Sequence, residues 1–274
     1  MEKIPFIKMQ ATGNDFVLID NRNGLISGTE YSRLAKSVSD RKFGVGSDGL
    51  ILLQEGKVEG TDLEMIYKNP DGSDAGMCGN GARCFVRMAS NLGFDMNRIS
   101  FHVHKNVYTG KINDENIEIQ FPLDTYPEEL KIDGDSYLSV YTNTEHIVCQ
   151  LSASDLTDNP SLVQKGRKLR HHPLFAPIGT NVNFIHGFSD KQLVLQTYER
   201  GVEDLTLACG TGAIASAVAW HSYQQLPEGD YIIKVKTKGG TLIVYFTFHS
   251  SNKIYNNIRL EGPAVTVFEG TYLY

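Results

Sequence analysis

The amino-acid sequence predicts an α+β protein of two pseudo-symmetric domains, each a curled mixed or antiparallel sheet wrapped around a central helix. Three observations predict this fold class. A cysteine followed by Gly-x-Gly occurs once in each half of the chain, at Cys78 and at Cys209, and each copy precedes a helical pattern. Strand patterns with a period of two outnumber the helical ones, which disfavours a doubly wound parallel sheet. The 274 residues suffice for two domains with a core each.

The first half of the chain alternates strand patterns with two helical patterns. One helix is predicted over 30–40, and a second follows Cys78 and ends at Gly93. Two segments, 13–15 and 69–73, carry the Gly, Asn, Asp and Pro residues that turns favour. Strands are predicted over residues 6–9, 16–20, 50–53, 63–67, 100–104 and 116–121.

The second half repeats this plan around the helix that follows Cys209. Ala213–Trp220 is apolar on nearly every side, so protein must surround this helix, and we expect a sheet to curl around it. Strands are predicted over residues 137–142, 147–151, 182–185, 193–199, 231–237, 242–248, 258–260 and 265–268.

The break between the domains is predicted where Pro122 and Pro127 interrupt the strand pattern. We predict an N-terminal domain of residues 1–122, to which 264–274 returns, and a C-terminal domain of residues 123–263. The active site is expected in the cleft between them, where closure would exclude water.

Composition limits the classes of partner. A net charge of −6 without a large basic cluster disfavours nucleic acid and anionic membranes. No apolar run approaches the roughly 18–20 residues of a membrane span, and the first residues do not resemble a signal peptide. We therefore expect a cytoplasmic protein that acts on a small molecule.

The cysteine and histidine spacings disfavour a metal site. The four cysteines form no Cys-x-x-Cys pair and the eight histidines no His-x-x-x-His spacing, so we expect no metal. Reduced thiols are expected instead of disulfides. Cys84, one turn into its helix, and Cys149, in an apolar strand, are expected in the core.

The two Cys-Gly-x-Gly motifs indicate acid–base chemistry. Each places a thiol at a helix N-terminus, where unpaired N–H groups and the helix dipole favour the thiolate over the thiol. Either cysteine alone would more often be a small buried apolar residue, but the duplication favours a function. One thiolate can take a proton from a carbon while the opposite thiol delivers one, as in a racemase or epimerase.

Proton removal from an amino-acid α-carbon also requires stabilisation of the resulting carbanion. No phosphate-loop motif for pyridoxal phosphate is evident, so we expect no cofactor. Two helix N-termini can instead bind the α-carboxylate through backbone N–H groups, which glycines let it approach closely. The glycines in these positions are Gly79, Gly81, Gly210 and Gly212.

The chain closely resembles the diaminopimelate epimerases in seven blocks that occur in family order from residue 8 to about residue 220. The two cysteine blocks alone would also fit the wider superfamily, which includes the proline racemases. The blocks are Met9 with Gly13-Asn14-Asp15-Phe16, Gly44-Val45-Gly46-Ser47-Asp48-Gly49, Asn69-Pro70-Asp71-Gly72-Ser73, Cys78-Gly79-Asn80-Gly81-Ala82-Arg83-Cys84, Asn181-Val182-Asn183-Phe184, Glu199-Arg200-Gly201 and Ala208-Cys209-Gly210-Thr211-Gly212-Ala213.

This resemblance implies a cofactor-independent epimerase that interconverts LL- and meso-2,6-diaminopimelate in lysine and peptidoglycan precursor biosynthesis. The sequence does not determine the oligomeric state, and a homodimer is one possible assembly. It implies that Cys78 and Cys209 are the acid and base. The residues that it implies for substrate binding are Asn14, Asn69, Gly79, Asn80, Asn181, Glu199, Arg200, Gly210 and Thr211. An arginine fork suits a distal carboxylate, and amide or carboxylate oxygens suit ammonium groups.

The resemblance further implies that His146 and Glu199 tune the two thiols. A neighbouring protonated histidine would favour a thiolate, and a carboxylate would favour a thiol. The chain departs from the family where many members have Gly-Asn-Pro-His, since it has Thr144 and Glu145 before His146. It also has Gly49 where some members have glutamine. The role of the family's asparagine is therefore not assigned to Thr144.

Two alternatives stay open at the level of sequence. A related amino-acid racemase would exchange the α-proton of a different amino acid faster. A thiol-redox or metal-binding protein would cycle a Cys78–Cys209 pair without catalysing epimerisation.

Overall fold

The computed structural model describes residues 3–274. It divides the chain into two compact units. The first comprises the chain up to Pro122 together with Glu261–Tyr274, and the second comprises Leu123–Leu260. Among the described residues, no helix combines the length and apolar character needed to cross a membrane.

The elements follow one another in a repeating order. The strands are β1 Lys3–Ala11, β2 Asn14–Asp20, β3 Leu50–Glu55, β4 Leu63–Lys68, β5 Ile99–Val103, β6 Asn106–Asn113, β7 Asn116–Gln120, β8 Pro127–Ile132, β9 Asp135–Tyr141, β10 Glu145–Gln150, β11 Asn181–Ser189, β12 Gln192–Glu199, β13 Asp204–Thr206, β14 Gly229–Thr237, β15 Gly240–His249, β16 Ile254–Pro263 and β17 Val265–Leu273. The helices are α1 Tyr31–Ser39, α2 Gly79–Asn91, α3 Asn159–Arg170 and α4 Gly210–Tyr223.

The first unit is built on a mixed sheet in the spatial order β17–β1–β2–β3–β4–β5–β6–β7. Its β2–β3 and β4–β5 pairs are parallel and the other pairs are antiparallel. Helix α2 packs against β1, β2, β3, β5, β6 and β7, so the sheet wraps around it. Glu261 belongs to this unit, and its carboxylate accepts hydrogen bonds from the Asn113 and Asn116 amides at 3.3 and 3.1 Å.

The second unit repeats this topology. Its sheet runs β8–β9–β10–β11–β12–β14–β15, with β13 also paired to β12. The β10–β11 and β12–β14 pairs are parallel. Helix α4 packs against β8, β9, β10, β11, β12, β14 and β15, and every residue from Gly210 to His221 is buried.

The internal symmetry extends to the crossover helices. In the first unit α1 and α2 connect the two parallel pairs, and in the second unit α3 and α4 connect the equivalent pairs. The C-terminal strand β17 pairs with β1 as β8 pairs with β9. The predicted fold class, two pseudo-symmetric domains with a sheet around a central helix, is confirmed.

Several elements were absent from the predictions. Strands β6, β8 and β13 fall in segments where polar residues obscure the periodicity. Helix α3 buries only Leu162, Gly166 and Leu169 and begins at the Asp158 cap, whose carboxylate accepts from the Ser161 N–H at 3.4 Å. A helix with so narrow a buried stripe gives a weak sequence signal.

Helix α2 lies so close to β6 that Gly110 has no room for a side chain. A Cβ there would lie 2.4 Å from Cγ2 of Val86, a stiff β-branched residue of α2. We expect Gly110→Ala to lower the free energy of unfolding by about 1–3 kcal/mol through overpacking. Urea denaturation measures this change.

The matched control is Gly76→Ala, because Gly76 is exposed and its Cβ would meet nothing within 4 Å. Both substitutions reduce the flexibility of the unfolded chain in the same way. Equal stabilities of the two variants would contradict the close packing of α2 on β6.

Candidate active site

Both candidate thiols occupy the N-cap of the central helix of their unit. Cys78 precedes α2 with φ −116° and ψ 116°, and Cys209 precedes α4 with φ −122° and ψ 117°. The Gly81 N–H donates to Cys78 Sγ at 3.5 Å, and the Gly212 N–H donates to Cys209 Sγ at 3.3 Å. The same local geometry therefore recurs in both units, with each sulfur accepting a hydrogen bond from the third helical residue.

Cys78 also contacts an amide oxygen. Its Sγ lies 3.7 Å from Asn14 Oδ1, which also accepts from Asn80 Nδ2 at 3.4 Å. The Asn14 amide is oriented by Asp48, whose Oδ2 accepts from Asn14 Nδ2 at 2.6 Å. Because a carbonyl oxygen is an acceptor, this contact favours the protonated thiol of Cys78.

Asp48 belongs to a charged cluster behind Asn14. Arg41 bridges Asp48 and Asp15 at 2.7 Å to each, and Lys8 Nζ lies 2.6 Å from Asp15. Burial alone would raise the pKa of Asp15, but hydrogen bonds from Arg41 and Lys8 outweigh it and lower this pKa to about 2. Asp15 therefore stays ionised at neutral pH, and its ion pair with Arg41 helps to hold Asp48 against Asn14.

Arg83 supports the same half-site from inside the first unit. The side chain is fully buried and donates to four neutral acceptors, which are Gly79 O at 3.1 Å, Asn80 Oδ1 at 2.8 Å, Thr12 Oγ1 at 3.1 Å and Pro263 O at 3.3 Å. Burial lowers the pKa of Arg83 to about 10, so the guanidinium remains charged at neutral pH. It therefore fixes the Asn80 amide with its N–H groups directed at Asn14.

The remaining cysteines lie in the cores, as expected. Cys84 is fully buried, which raises the pKa of its thiol to about 12, and Cys149 is 4% exposed with its pKa raised by burial. A thiol with a raised pKa is a poor base and nucleophile at neutral pH.

Cys209 has different neighbours from Cys78. Its Sγ lies 3.6 Å from Thr211 Oγ1, and Thr211 Oγ1 lies 3.0 Å from His146 Nε2. On the other side of the ring, Asn183 Nδ2 lies 3.0 Å from His146 Nδ1 and donates to Ile147 O at 3.1 Å. The structure thus connects His146 with Cys209 through a hydroxyl group.

His146 is neutral at physiological pH, which corrects the expectation of a protonated histidine beside a thiol. The ring is fully buried, and burial lowers its pKa to about 3, with the charge of Arg200 acting in the same direction. Its influence on Cys209 must therefore come from hydrogen bonding and not from a positive charge.

A third group of predicted residues surrounds Arg200. The guanidinium donates to Glu145 Oε2 at 2.7 Å and to Thr144 Oγ1 at 2.8 Å, and the Arg200 N–H donates to Asn181 Oδ1 at 2.9 Å. Asn181 Nδ2 donates to Glu145 O at 3.0 Å. Thr144 and Glu145, two of the residues at which the chain departs from the family pattern, are thus partners of the Arg200 side chain.

The predicted site residues therefore form one group in the first unit and two adjoining groups in the second, where His146 on β10 pairs with Asn181 on β11. Asn14, Cys78, Gly79 and Asn80 lie together in the first unit, and His146, Cys209 and Thr211 lie together in the second. Asn181, Glu199 and Arg200 lie at the adjoining ends of β11 and β12 in the second unit. Asn69 bonds within its own turn, donating to Ser73 Oγ at 3.0 Å, and Gly210 begins α4.

Sequence reasoning missed the supporting roles of Asp48, Arg83 and Asn183. A signal existed for Asn183, because residues two apart on a strand share a face and Asn181 is a predicted site residue. Within residues 3–274, no three His, Cys, Asp or Glu side chains are grouped as metal ligands would be.

Comparison with known proteins places these motifs in a family. A family model described as diaminopimelate epimerase matches residues 6–126 and 138–265. The chain is 39% identical to the diaminopimelate epimerase of Flavobacterium psychrophilum over 96% of its own length and 98% of the relative's. It is 34% identical to that of Aquifex aeolicus over 97% and 96% of the two chains.

Solved structures share the fold at low identity. A phenazine biosynthesis protein of the PhzF family from Bacillus anthracis matches with a TM-score of 0.77 and 15% identity over all of both chains. A hydroxyproline epimerase from Agrobacterium vitis matches with a TM-score of 0.74 and 13% identity over 99% of this chain and 91% of that one. At these identities the likeness establishes the fold alone.

The buried histidines predict how stability depends on pH. Burial lowers the pKa of His146 to about 3 and that of His221 to about 4, from a usual value of 6.5. As the pH falls below 6.5, the unfolded chain binds protons at these positions and the folded protein does not. Stability is therefore complete above pH 6.5 and decreases as the pH falls towards 4, by up to about 1.4 kcal/mol per pH unit for each histidine.

Urea denaturation between pH 7.5 and 5 tests this slope, since few carboxylates titrate in that interval. His146→Gln should reduce the slope by the contribution of one proton. A slope that this variant leaves unchanged would show that folding does not lower the pKa of His146.

Proposed function

Since the chain belongs to the diaminopimelate epimerase family, we propose that it interconverts LL- and meso-2,6-diaminopimelate without a cofactor, using Cys78 and Cys209 as acid and base. One observation carries the proposal: both cysteines cap the central helix of their domain with the same backbone angles and the same N–H···Sγ hydrogen bond. A donor aimed at sulfur stabilises the thiolate, which is the form that removes a proton.

In the proposed reaction the two thiols act on opposite faces of one α-carbon. A thiolate takes the α-proton and becomes a thiol, while the electron pair of the C–H bond moves onto the α-carboxylate as an enolate. The opposite thiol then gives its proton to the carbon and becomes a thiolate. The configuration is inverted, no redox change occurs, and the two sulfurs have exchanged protonation states.

The helix N-termini would stabilise the enolate. The third N–H of each helix donates to sulfur, and two further backbone N–H groups precede it in the first turn. In α2 these belong to Gly79 and Asn80, and in α4 to Gly210 and Thr211. Backbone donors at a helix N-terminus are suited to a carboxylate whose negative charge increases during the reaction.

Arg200 would bind the distal carboxylate of the substrate. Its guanidinium already donates to Glu145, so a carboxylate ligand would share or replace that partner. Asn14, Asn69, Asn181 and Glu199 would supply oxygen acceptors for the two ammonium groups. Glu199 would also favour the protonated form of a nearby thiol.

The wider biological assignments follow the family. We propose that the reaction serves lysine and peptidoglycan precursor biosynthesis in the cytoplasm, and that the enzyme works as a monomer or a homodimer. A related amino-acid racemase is the second candidate, because the fold is shared with a hydroxyproline epimerase.

The proposal predicts α-proton exchange that depends on both thiols. Wild-type protein incubated in D₂O with LL-diaminopimelate and no cofactor should incorporate deuterium at the α-carbon with inversion. Cys78→Ala and Cys209→Ala should each lower the rate of epimerisation by about 10²–10⁴-fold, the usual contribution of a general acid or base. Proton NMR and chiral chromatography follow exchange and inversion separately.

The matched control is Cys149→Ala, which removes a buried thiol outside the proposed site and should leave the exchange rate within about threefold while lowering stability. A fully active Cys78 or Cys209 variant would contradict the two-base mechanism. Exchange that is faster with another amino acid would favour the racemase. Reversible oxidation of a Cys78–Cys209 pair, in protein that exchanges no α-proton, would favour the redox alternative.

The assignment of Arg200 predicts an effect on substrate binding. Arg200→Lys keeps the positive charge but removes the planar fork that binds a carboxylate through two hydrogen bonds. We expect KM for diaminopimelate to rise about ten- to hundredfold, the equivalent of one hydrogen bond between charged groups. Steady-state kinetics in both directions measures the change.

Arg170→Lys is the corresponding control, because Arg170 also donates to a carboxylate of the same domain, Glu203, at 3.1 Å. It should leave KM unchanged. If Arg200→Lys has the same KM as wild type, Arg200 does not bind the distal carboxylate.

A further inference from the structure

A series of hydrogen bonds connects Asn183 with Cys209 through His146 and Thr211, and each bond in it has a fixed direction. Asn183, His146 and Thr197 are each at most 2% exposed, so water does not compete for their polar groups. A directed network of buried groups can set the protonation state of the group at its end, because each donor determines what its neighbour can do.

The first step in this series of hydrogen bonds is the orientation of the Asn183 amide. Asn183 Nδ2 donates to the carbonyl oxygen of Ile147 at 3.1 Å, and Thr197 Oγ1 donates to Asn183 Oδ1 at 2.9 Å. A backbone carbonyl can only accept, so the amide N–H groups must face Ile147 and His146. The second N–H of Asn183 is therefore directed at His146 Nδ1, 3.0 Å away.

This orientation determines the tautomer of His146. Because Nδ1 accepts from Asn183, the single proton of the neutral ring must be on Nε2. The Nε2–H group then donates to Thr211 Oγ1 at 3.0 Å. Because Thr211 Oγ1 accepts this hydrogen bond, its own hydroxyl hydrogen is directed at the sulfur of Cys209, 3.6 Å away.

We propose that Asn183 and Thr211 are positioning residues that hold Cys209 as the thiolate, with Asn183 setting the His146 tautomer and Thr211 delivering a hydroxyl donor to sulfur. Cys209 Sγ then accepts from both the Thr211 hydroxyl and the Gly212 N–H. Cys78 instead faces the acceptor Asn14 Oδ1. The resting enzyme accordingly has Cys209 as the base and Cys78 as the acid.

The charges around this end of α4 are consistent with that assignment. His146 and Glu145 lie on β10, Glu199 ends β12, and Arg200 follows it. The Arg200 guanidinium lies 2.7 Å from the Glu145 carboxylate, so their charges largely offset each other. His221 and Tyr223, the titratable side chains of α4 itself, are near the opposite end of the helix.

The proposal is tested by titrating the Cys209 thiolate without any substrate. Thiolate absorbance at 240 nm is recorded against pH in Cys78→Ala protein, and the signal of Cys78→Ala/Cys209→Ala protein is subtracted to remove tyrosine, Cys84 and Cys149. Adding Thr211→Val, which removes the hydroxyl at constant shape, should raise the titration midpoint by about one to two pH units. Thr211→Ser should restore most of the shift.

Ser216→Ala is the matched control, since its hydroxyl is also buried on α4 and hydrogen-bonds to no group among the described residues. It should leave the midpoint unchanged. An unshifted midpoint in Thr211→Val protein, or an equal shift in Ser216→Ala protein, would overturn the proposal.

A second measurement does not depend on any variant of Thr211. Nitrogen-15 NMR of the histidine rings, with the His146 signal identified by its loss in His146→Gln protein, should show the Nε2–H tautomer between pH 5 and 9. An Nδ1–H tautomer or a titration in that interval would overturn the proposal.

Only the kinetic consequence of this proposal rests on the proposed function. If the enzyme epimerises diaminopimelate, the acidic limb of kcat/KM in the direction that uses Cys209 as base should move by the same pH shift in Thr211→Val protein. A shifted thiolate titration in protein that exchanges no α-proton would contradict the proposed function and leave the assignment of Asn183 and Thr211 standing.

Discussion

The hydrogen bond from the third helical N–H to the cap sulfur is the interaction on which each half-site depends. The sulfur of a thiol is a weak acceptor, so a protonated cysteine cap adds little to the stability of a helix. Packing holds the helices instead, since α4 is buried from Gly210 to His221 and α2 is surrounded by its sheet. Because tertiary burial fixes the helix, the cap position can carry a reactive group in place of the serine or aspartate that would stabilise it best.

The second glycine of each Cys-Gly-x-Gly motif follows from the same packing. A Cβ at Gly212 would lie 2.5 Å from Asn183 Oδ1, and one at Gly81 would lie 3.0 Å from the Ile51 side chain. In α4 the missing side chain makes room for the asparagine that orients His146. Glycine at this position therefore serves the polar network beside the thiol as well as the approach of a ligand to the backbone.

Much of the fold could be predicted because the hydrophobic pattern of a segment and its turn and cap residues indicated the same element. The apolar run after Cys209 required a surrounding sheet, and α4 has one. Helix α1 was predicted over 30–40, but it begins at Tyr31 after Glu30, whose side chain makes no capping hydrogen bond, since tertiary packing can set a helix end without a side-chain cap. The protonation state of His146 could not be predicted from the sequence, because it depends on complete burial by segments that are distant in sequence. Sequence identifies a histidine, and only the fold determines its charge.

A duplicated scaffold would give two equivalent thiols, whereas an acid–base pair requires two different ones. The two cysteines share the same cap geometry, and the residues that surround them differ. Five residues after the cap cysteine, α2 has the buried cation Arg83 and α4 has the apolar Ile214. Two residues after it, Asn80 directs an amide N–H at Asn14, while Thr211 directs its hydroxyl at the sulfur itself. Symmetry thus supplies two helix N-termini, and divergence at a few buried positions supplies the difference in protonation that the proposed acid–base pair requires.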